Sequence, residues 1–495
     1  LTASAHLPQF HVIGFTGHRR LEDGPGVAGA IREAIALLRR EAPGEWIALS
    51  SAAAGSDILF AREALAQGCA WQVVLPLAPA EFKQDFSEAE WREVEALLAQ
   101  AEQVRVLSEI GAREDAYLNA GMETVHAADI VLAVWDGEAA RGKGGTADVI
   151  AYARDLDRPL IIIDAQTLSV RRENSSAFTP HDHDLAYFNG LPPAPASAVG
   201  TGNPFGAPAE ILEFQRKVDH TASRGAPQFR RLIASTTVLH VLATLVAAAA
   251  LAFTLKAAML PWMKLACLAG ALGVALILRK QGAHHHWVRC RLAAEFCRSA
   301  LATWGLPREA LISVEIDLPG IRLLVRTLQV LHRRAAGAQL VPIDEFKRLY
   351  LSNRVDDQLS YYEHRLARAL PQLVWLRAGF WVSTIAAITC AAAYALYRVW
   401  HYADLPLGAE QWLFYFFPIS LPVVAAAFIS LISINDLHRR VARYREMCAI
   451  LQAARKQVAY SRTWSSLERI VQHTEQALLQ EVIEWHSITS FAESH

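Results

Sequence analysis

The sequence predicts an α/β Rossmann-like parallel sheet in its N-terminal part and, behind it, an all-α membrane domain with four transmembrane helices and cytoplasmic helices. Three observations carry this. Six short apolar runs alternate with helix-period segments over residues 8–165, a Pro/Ala/Gly/Ser-rich stretch follows at Leu191–Ala209, and four long apolar segments occupy much of the remainder. Alternating strand and helix signals are the mark of βα units and a parallel sheet, whose buried strands are near-continuous in Val, Ile and Leu.

The strand signals are Phe10–Phe15, Trp46–Leu49, Trp71–Leu75, Val104–Leu107, Ile130–Trp135 and Leu160–Ile163, with helical periodicity near 27–40, 55–67, 87–101, 113–127 and 145–154. Residues 166–210 read as a linker or excursion. Beyond it, Leu232–Leu255, Met259–Leu278, Ala378–Tyr397 and Trp412–Ile434 each reach the roughly 20 residues needed to cross about 30 Å of hydrocarbon, and only Lys264 is charged within them. This divides the chain into a Rossmann-like domain at 8–165, a first two-span module at 211–345, and a second at 346–495 that ends in a cytoplasmic helix.

Arginines and lysines flank both span pairs (Arg230, Arg231, Arg279 and Lys280; Arg365, Arg368, Arg439 and Arg440), so the positive-inside rule puts both termini in the cytoplasm. Residues 1–9 lack a basic stretch followed by an apolar core, which agrees with a cytoplasmic N-terminal domain. The modules resemble each other: His220, Arg224, Pro227 and Gln228 recur as His364, Arg368, Pro371 and Gln372, and Glu295 and Cys297 recur as Glu446 and Cys448. Internal duplication is the economical reading. A seam of Leu467, Val471, Thr474, Leu478, Val482 and Trp485 serves either oligomerisation or packing within the chain.

Composition excludes several classes. Lys plus Arg number 48 against 49 Asp plus Glu, so no global basic footprint calls for nucleic acid. The six cysteines form no CxxC pair, and adjacent helical histidines such as His284, His285 and His286 point about 100° apart, so no metal site is expected. Trp262, Trp287, Trp375, Trp400 and Trp412 fall near span ends, where indoles favour headgroups, and Pro418 and Pro422 are placed to kink the last span.

Three loops carry chemistry. The first strand runs into Gly14-Phe15-Thr16-Gly17-His18-Arg19, and the second into Ser51-Ala52-Ala53-Ala54-Gly55-Ser56-Asp57. The fifth runs into Asp136, then Lys143-Gly144-Gly145-Thr146-Ala147-Asp148 opening a helix. Glycines and small residues let backbone N–H groups approach phosphate at helix N-termini, and strand C-termini of one doubly wound sheet share an edge, so the loops converge. Together with Leu75-Pro76-Leu77 these motifs resemble the SLOG superfamily of Rossmann-like domains, related to LOG, DprA and the N-terminal regions of melastatin-type TRP channels. The span pairs and the helix around Glu475–Trp485 resemble SLATT two-transmembrane effectors.

That resemblance implies a sensor of a nucleotide-derived ligand, of the NAD or ADP-ribose kind, gating a pore or channel in a homo-oligomer within the lipid bilayer, in antiphage defence. No separate cofactor is implied. The other reading it offers is a membrane-tethered LOG-type hydrolase of nucleoside monophosphates, but the position of the LOG catalytic Glu is Val149, so no catalytic residue is assigned.

Overall fold

A computed structural model describes residues 6–107, 112–139, 144–178, 183–195, 202–255, 259–280, 283–307, 319–335, 341–400 and 406–491. The chain divides into two compact units, the first formed by 1–191 together with 315–340, the second by 192–314 and 341–495.

The first unit opens β1 (Phe10–Gly17), α1 (Gly24–Glu41), β2 (Glu45–Ser50), α2 (Ser56–Ala66), β3 (Ala70–Leu75), α3 (Pro79–Phe82), α4 (Glu88–Leu98) and β4 (Gln103–Val106). It continues with α5 (Arg113–Ala127), β5 (Ile130–Trp135), α6 (Thr146–Asp155), β6 (Leu160–Asp164), β7 (Val170–Glu173) and α7 (His183–Gly190). The sheet order is β4-β3-β2-β1-β5-β6-β7, parallel except for β7, which runs antiparallel to β6. The chain moves outward from β1 through β4 and returns to β5 beside β1, so a topological switch lies between β1 and β5, where such sheets open a crevice at their strand C-termini.

Strand alternation decides the two faces. Ile13, Phe15, Leu132 and Val134 pack under α1, α2 and α4, whose own buried faces are Val27, Ile31, Ile35 and Leu38, then Phe60 and Ala64, then Trp91 and Val94. Val131, Ala133 and Leu160 pack under α5 and α6. On this face α5 closes on β1 at Gly14, but the N-terminal ends of β1 and β2, at Phe10, Val12 and Ile47, are left for another element to share.

The second unit begins α8 (Ala209–Ala252), α9 (Met259–Lys280) and α10 (Ala283–Thr303). The chain then passes into the first unit as α11 (Pro319–Ala335) and returns as α12 (Ile343–Tyr350), a π-helical turn at Leu351–Val355, and α13 (Asp356–Trp400). Next come α14 (Leu407–Glu410), a second π-helical turn at Gln411–Phe416, α15 (Phe417–Ile434), α16 (Leu437–Tyr460) and α17 (Trp464–Phe491). Among the described residues four helical stretches are long and apolar enough to cross a membrane, and they overlap the four predicted segments, the first ending at Ala252 rather than Leu255. Their large apolar side chains are exposed in the unit, Leu251, Met259, Trp262, Trp375 and Val399 among them, which suits lipid contact.

Several expectations change. Residues 166–191, read as linker, hold β7 and α7, with Leu185 and Phe188 buried. Residues 315–340, grouped by the sequence with the first two-span module, cluster instead with the N-terminal unit. Trp287 is no headgroup anchor: it is buried and its indole N–H donates to the Ala222 carbonyl. Pro418 follows the π-helical turn at Gln411–Phe416 with no break in the helix, and Pro422 lies one turn further on, so both remove an N–H from a continuous ladder. Glu295 is buried whereas its repeat partner Glu446 is exposed, so the second copy does not reuse that carboxylate. The side chains of His284, His285 and His286, and residues 256–258 and 401–405 of the inter-span loops, lie outside the described residues.

Candidate functional site

At the switch point the C-terminal ends of β1, β2 and β5 surround a cavity of about 730 Å³, within the several hundred Å³ usual for small-molecule sites. Phe15, Thr16, Gly17, His18 and Arg19 line it from β1, Ser51 and Asp57 from the β2–α2 connection, and Asp136, Gly144, Gly145 and Thr146 from the β5–α6 connection. Lys143 lies outside the described residues.

Four residues expected at the ligand stand behind this lining and hold it. Gly14 is where β1 meets α5: a Cβ there sits 2.8 Å from Ala128 Cβ and 3.0 Å from Thr124 Cγ2, so only glycine lets the helix close on the strand. Gly55, at φ +84°, has room for no Cβ, which falls 2.3 Å from the Arg19 carbonyl oxygen. Ser56 donates its hydroxyl and its backbone N–H to the His18 carbonyl, at 2.9 and 3.1 Å, and so ties the second loop to the first. Asp148 accepts the Gly144 N–H at 2.9 Å and folds the glycine loop back on its own helix.

The N-caps of α2 and α6 are Gly55 and Gly145, which carry no side chain to satisfy the first-turn N–H groups. Both helices present their positive ends towards the cavity edge, the arrangement that favours anions. His18 reinforces the mouth. Its Nε2 lies 2.9 Å from Asp136 Oδ1 and 3.0 Å from Asp136 N, so the protonated ring donates to the carboxylate and the neutral ring accepts the backbone N–H. Desolvation pushes the Asp136 carboxyl up, but the Glu138 N–H and His18 outweigh it and hold the group below the usual carboxylate range.

Asp57 behaves oppositely. It is buried at the cavity floor, and desolvation raises it to about 7, against the pull of the Ala53 N–H, the Arg19 charge and the Ser51 backbone. A carboxyl of that kind is half neutral near pH 7 and can donate a hydrogen bond as well as accept one.

The sequence reading missed the wall built by α5. Arg113, Glu114, Tyr117 and Gly121 line the cavity at helical spacing along one face. Arg113 pairs with Asp85 at 2.6 Å, and Arg19 lies over the Tyr117 ring, 4.9 Å from its centroid. Arg19 at the end of the first glycine loop and Arg113 of α5 thus meet at Asp85 and the Tyr117 ring on the cavity wall. The i, i+4, i+8 spacing of Arg113, Tyr117 and Gly121 was visible, but nothing local says that the face turns inward. Val149 also reaches the cavity, packed where a Cβ on Gly121 would meet its Cγ2 at 2.4 Å, so an aliphatic side chain lines the wall there. Among the described residues, no three His, Cys, Asp or Glu side chains gather as metal ligands.

The second unit holds a buried ionic cluster that the sequence did not announce. Glu475 on α17 is fully buried and accepts from Arg354 Nη2 at 2.7 Å and from the Tyr350 hydroxyl at 2.9 Å. Glu295 on α10, despite desolvation, is held at about 2 by Arg298, Arg291 and Arg354. Arg298 also reaches Asp219 on α8 at 3.1 Å, so the cluster clamps the helices that continue the spans.

No curated protein matches the chain. Residues 213–305 match the family described as SMODS and SLOG-associating 2TM effector domain 3 (SLATT_3), and residues 350–485 match SMODS and SLOG-associating 2TM effector domain 1 (SLATT_1). The first match covers α8 to α10, and the second covers the π-helical turn at Leu351–Val355 through most of α17. The C-terminal half of this membrane protein therefore carries two SLATT domains, each a two-transmembrane effector domain.

Proposed function

We propose that the chain is a membrane effector controlled by a nucleotide-derived anion of the NAD or ADP-ribose class, with a SLOG-type N-terminal domain as sensor and the SLATT spans of several copies as a gated pore or channel. The observation that carries this reading is the cavity at the β1/β5 switch point, lined from two glycine-capped helix N-termini and by Arg19 and Arg113, in one chain with two effector domains. Phosphate suits the helix ends, the guanidinium groups suit further negative charge, and Asp57 suits a sugar hydroxyl. The description of both families as SLOG-associating supports the SLOG reading of the first unit. The setting we infer is antiviral defence at a bacterial inner membrane, with both termini cytoplasmic.

Gating requires that the ligand bind one membrane state more tightly than the other. The test is ion flux in proteoliposomes, together with calorimetric titration of ADP-ribose, NAD and AMP. A ligand that triggers flux, and that Arg19→Ala binds roughly ten- to a hundred-fold more weakly, is the expected result, since a charge-assisted hydrogen bond contributes about 1.5–3 kcal/mol. Recovery of the ligand cleaved, with no flux, sinks the sensor reading in favour of an enzyme.

A further inference from the structure

Helix α11 lies between the two SLATT matches, outside both, and is built into the N-terminal unit. Its Val330 is fully buried with Phe10 and Val12 of β1, Ile47 and Leu49 of β2, and Ala120 of α5, on the face that it shares with α5. Polar contacts fix its register. Arg326 and Asp129 form a pair at 3.1 Å, each side chain only 9% exposed, and the other Asp129 oxygen accepts the Val12 N–H at 2.8 Å. The Thr327 hydroxyl donates to the Pro8 carbonyl at 2.9 Å, and Arg334 spans Glu102 and Glu45 while lying 4.7 Å over the Phe10 ring. A helix whose apolar face and three side chains are all used here belongs to this layer of the sheet.

Its contacts lie at the opposite ends of the elements that make the cavity. Asp129 starts β5, whose other end carries Asp136, and Phe10 starts β1, whose other end carries Gly17 and His18. Helix α5 joins the two: its first turns supply Arg113 and Tyr117 to the cavity and seat the glycine loop, while Ala120 and Ala127 further along share the apolar cluster with Val330 and Leu331. The contact with the loop is tight. Gly144, at φ +82°, has its missing Cβ only 2.7 Å from the Leu118 backbone nitrogen and 3.1 Å from the Glu114 carbonyl oxygen.

We propose that α11 is the transmission helix of this protein: a change at the cavity moves α5, α5 displaces α11 on the sheet, and α11 passes the change along the chain in both directions, to the SLATT domain before it and the one after it. The first module also follows the N-terminal unit directly through residues 192–208, so α11 gives that module a second connection and is the one from which the second module continues. This rests on the reading of the crevice as a ligand site, and it adds the route. Coupling between sites is reciprocal, so perturbing either end must register at the other.

The test is hydrogen–deuterium exchange of the full chain in detergent, with no ligand needed. Gly144→Ala puts a methyl group against α5, and Gly68→Ala is its control, a glycine also at positive φ (+73°) but with nothing within 4 Å of its Cβ. Exchange of residues 319–335 at least five-fold faster in Gly144→Ala, with α1 on the other face unchanged, is the expected result; equal exchange in the two variants overturns the proposal. If Gly144→Ala loosens α1 as well, Arg326→Gln decides: faster exchange over 113–121 supports the coupling and no change there overturns it. ADP-ribose added to the unaltered protein forms a separate arm, in which failure to bind counts against the sensor reading while the variants still decide the route.

Discussion

Asp57 is the residue whose chemistry the fold changes most. Its carboxyl is raised from 3.8 to about 7 by burial, so the folded protein favours the neutral form. The contribution to stability is complete below pH 3.8, where both folded and unfolded chains hold the proton, and is lost as pH rises through 7. Each pH unit of displacement is worth about 1.4 kcal/mol, so this interval is worth at most about 4 kcal/mol. Asp57→Asn keeps the shape and removes the proton. Unfolding followed at pH 4 and pH 8 should show the unaltered chain losing up to about that amount relative to the variant, and parallel profiles would exclude a buried neutral carboxyl. Glycine loops at strand ends were legible in sequence because their spacing is local. Arg113 and Tyr117 were not, since their place at the cavity depends on β5 returning beside β1, and Gly14 and Gly55 look like ligand contacts until the backbones they admit are seen.

At the scale of elements, five strands follow from short continuous apolar runs buried on both faces and the five longer helices among them from apolar residues at period 3.6, while β4 was read from valines, Val104 and Val106, that lie exposed on the edge strand. β7 escaped because its Val-Arg-Arg-Glu is an exposed edge with no apolar alternation. The π-helical turn at Leu351–Val355 also escaped, and it matters more, since it carries Arg354 into the interior. There Arg354 meets Glu475 with both charges desolvated, an arrangement in which removing one partner is far more harmful than removing both. Glu475→Gln should therefore cost roughly 3–5 kcal/mol, and Arg354→Met combined with Glu475→Leu should recover most of it. A denaturation cycle over the single and double variants measures this, and additive losses would mean that the pair is not coupled. Because α17 reaches the π-helical turn through this pair, the single variant should also loosen α17 ahead of the spans.

For the molecule as a whole, parity decides the topology. Four candidate spans among the described residues return the chain to the side on which it started, so the N-terminal unit and α17 are expected on one face of the membrane. Two further cations beyond the spans, Arg291 and Arg443, are engaged in the folded bundle, Arg291 with Glu295 at 3.3 Å and Arg443 with Glu481 at 3.7 Å. Acidic residues count little in the positive-inside rule, so these pairings leave the expected orientation unchanged. Cysteine placed at Gln67 in the first unit or at the exposed Tyr460 in the second, with the native cysteines replaced, gives two reporters for a membrane-impermeant maleimide. Both should stay unlabelled in intact spheroplasts and label after lysis, whereas a cysteine introduced in the loop at 256–258 should label without lysis. If Gln67→Cys and Tyr460→Cys report opposite sides, one apolar helix does not cross, and a single α11 serving two equivalent hairpins loses its basis.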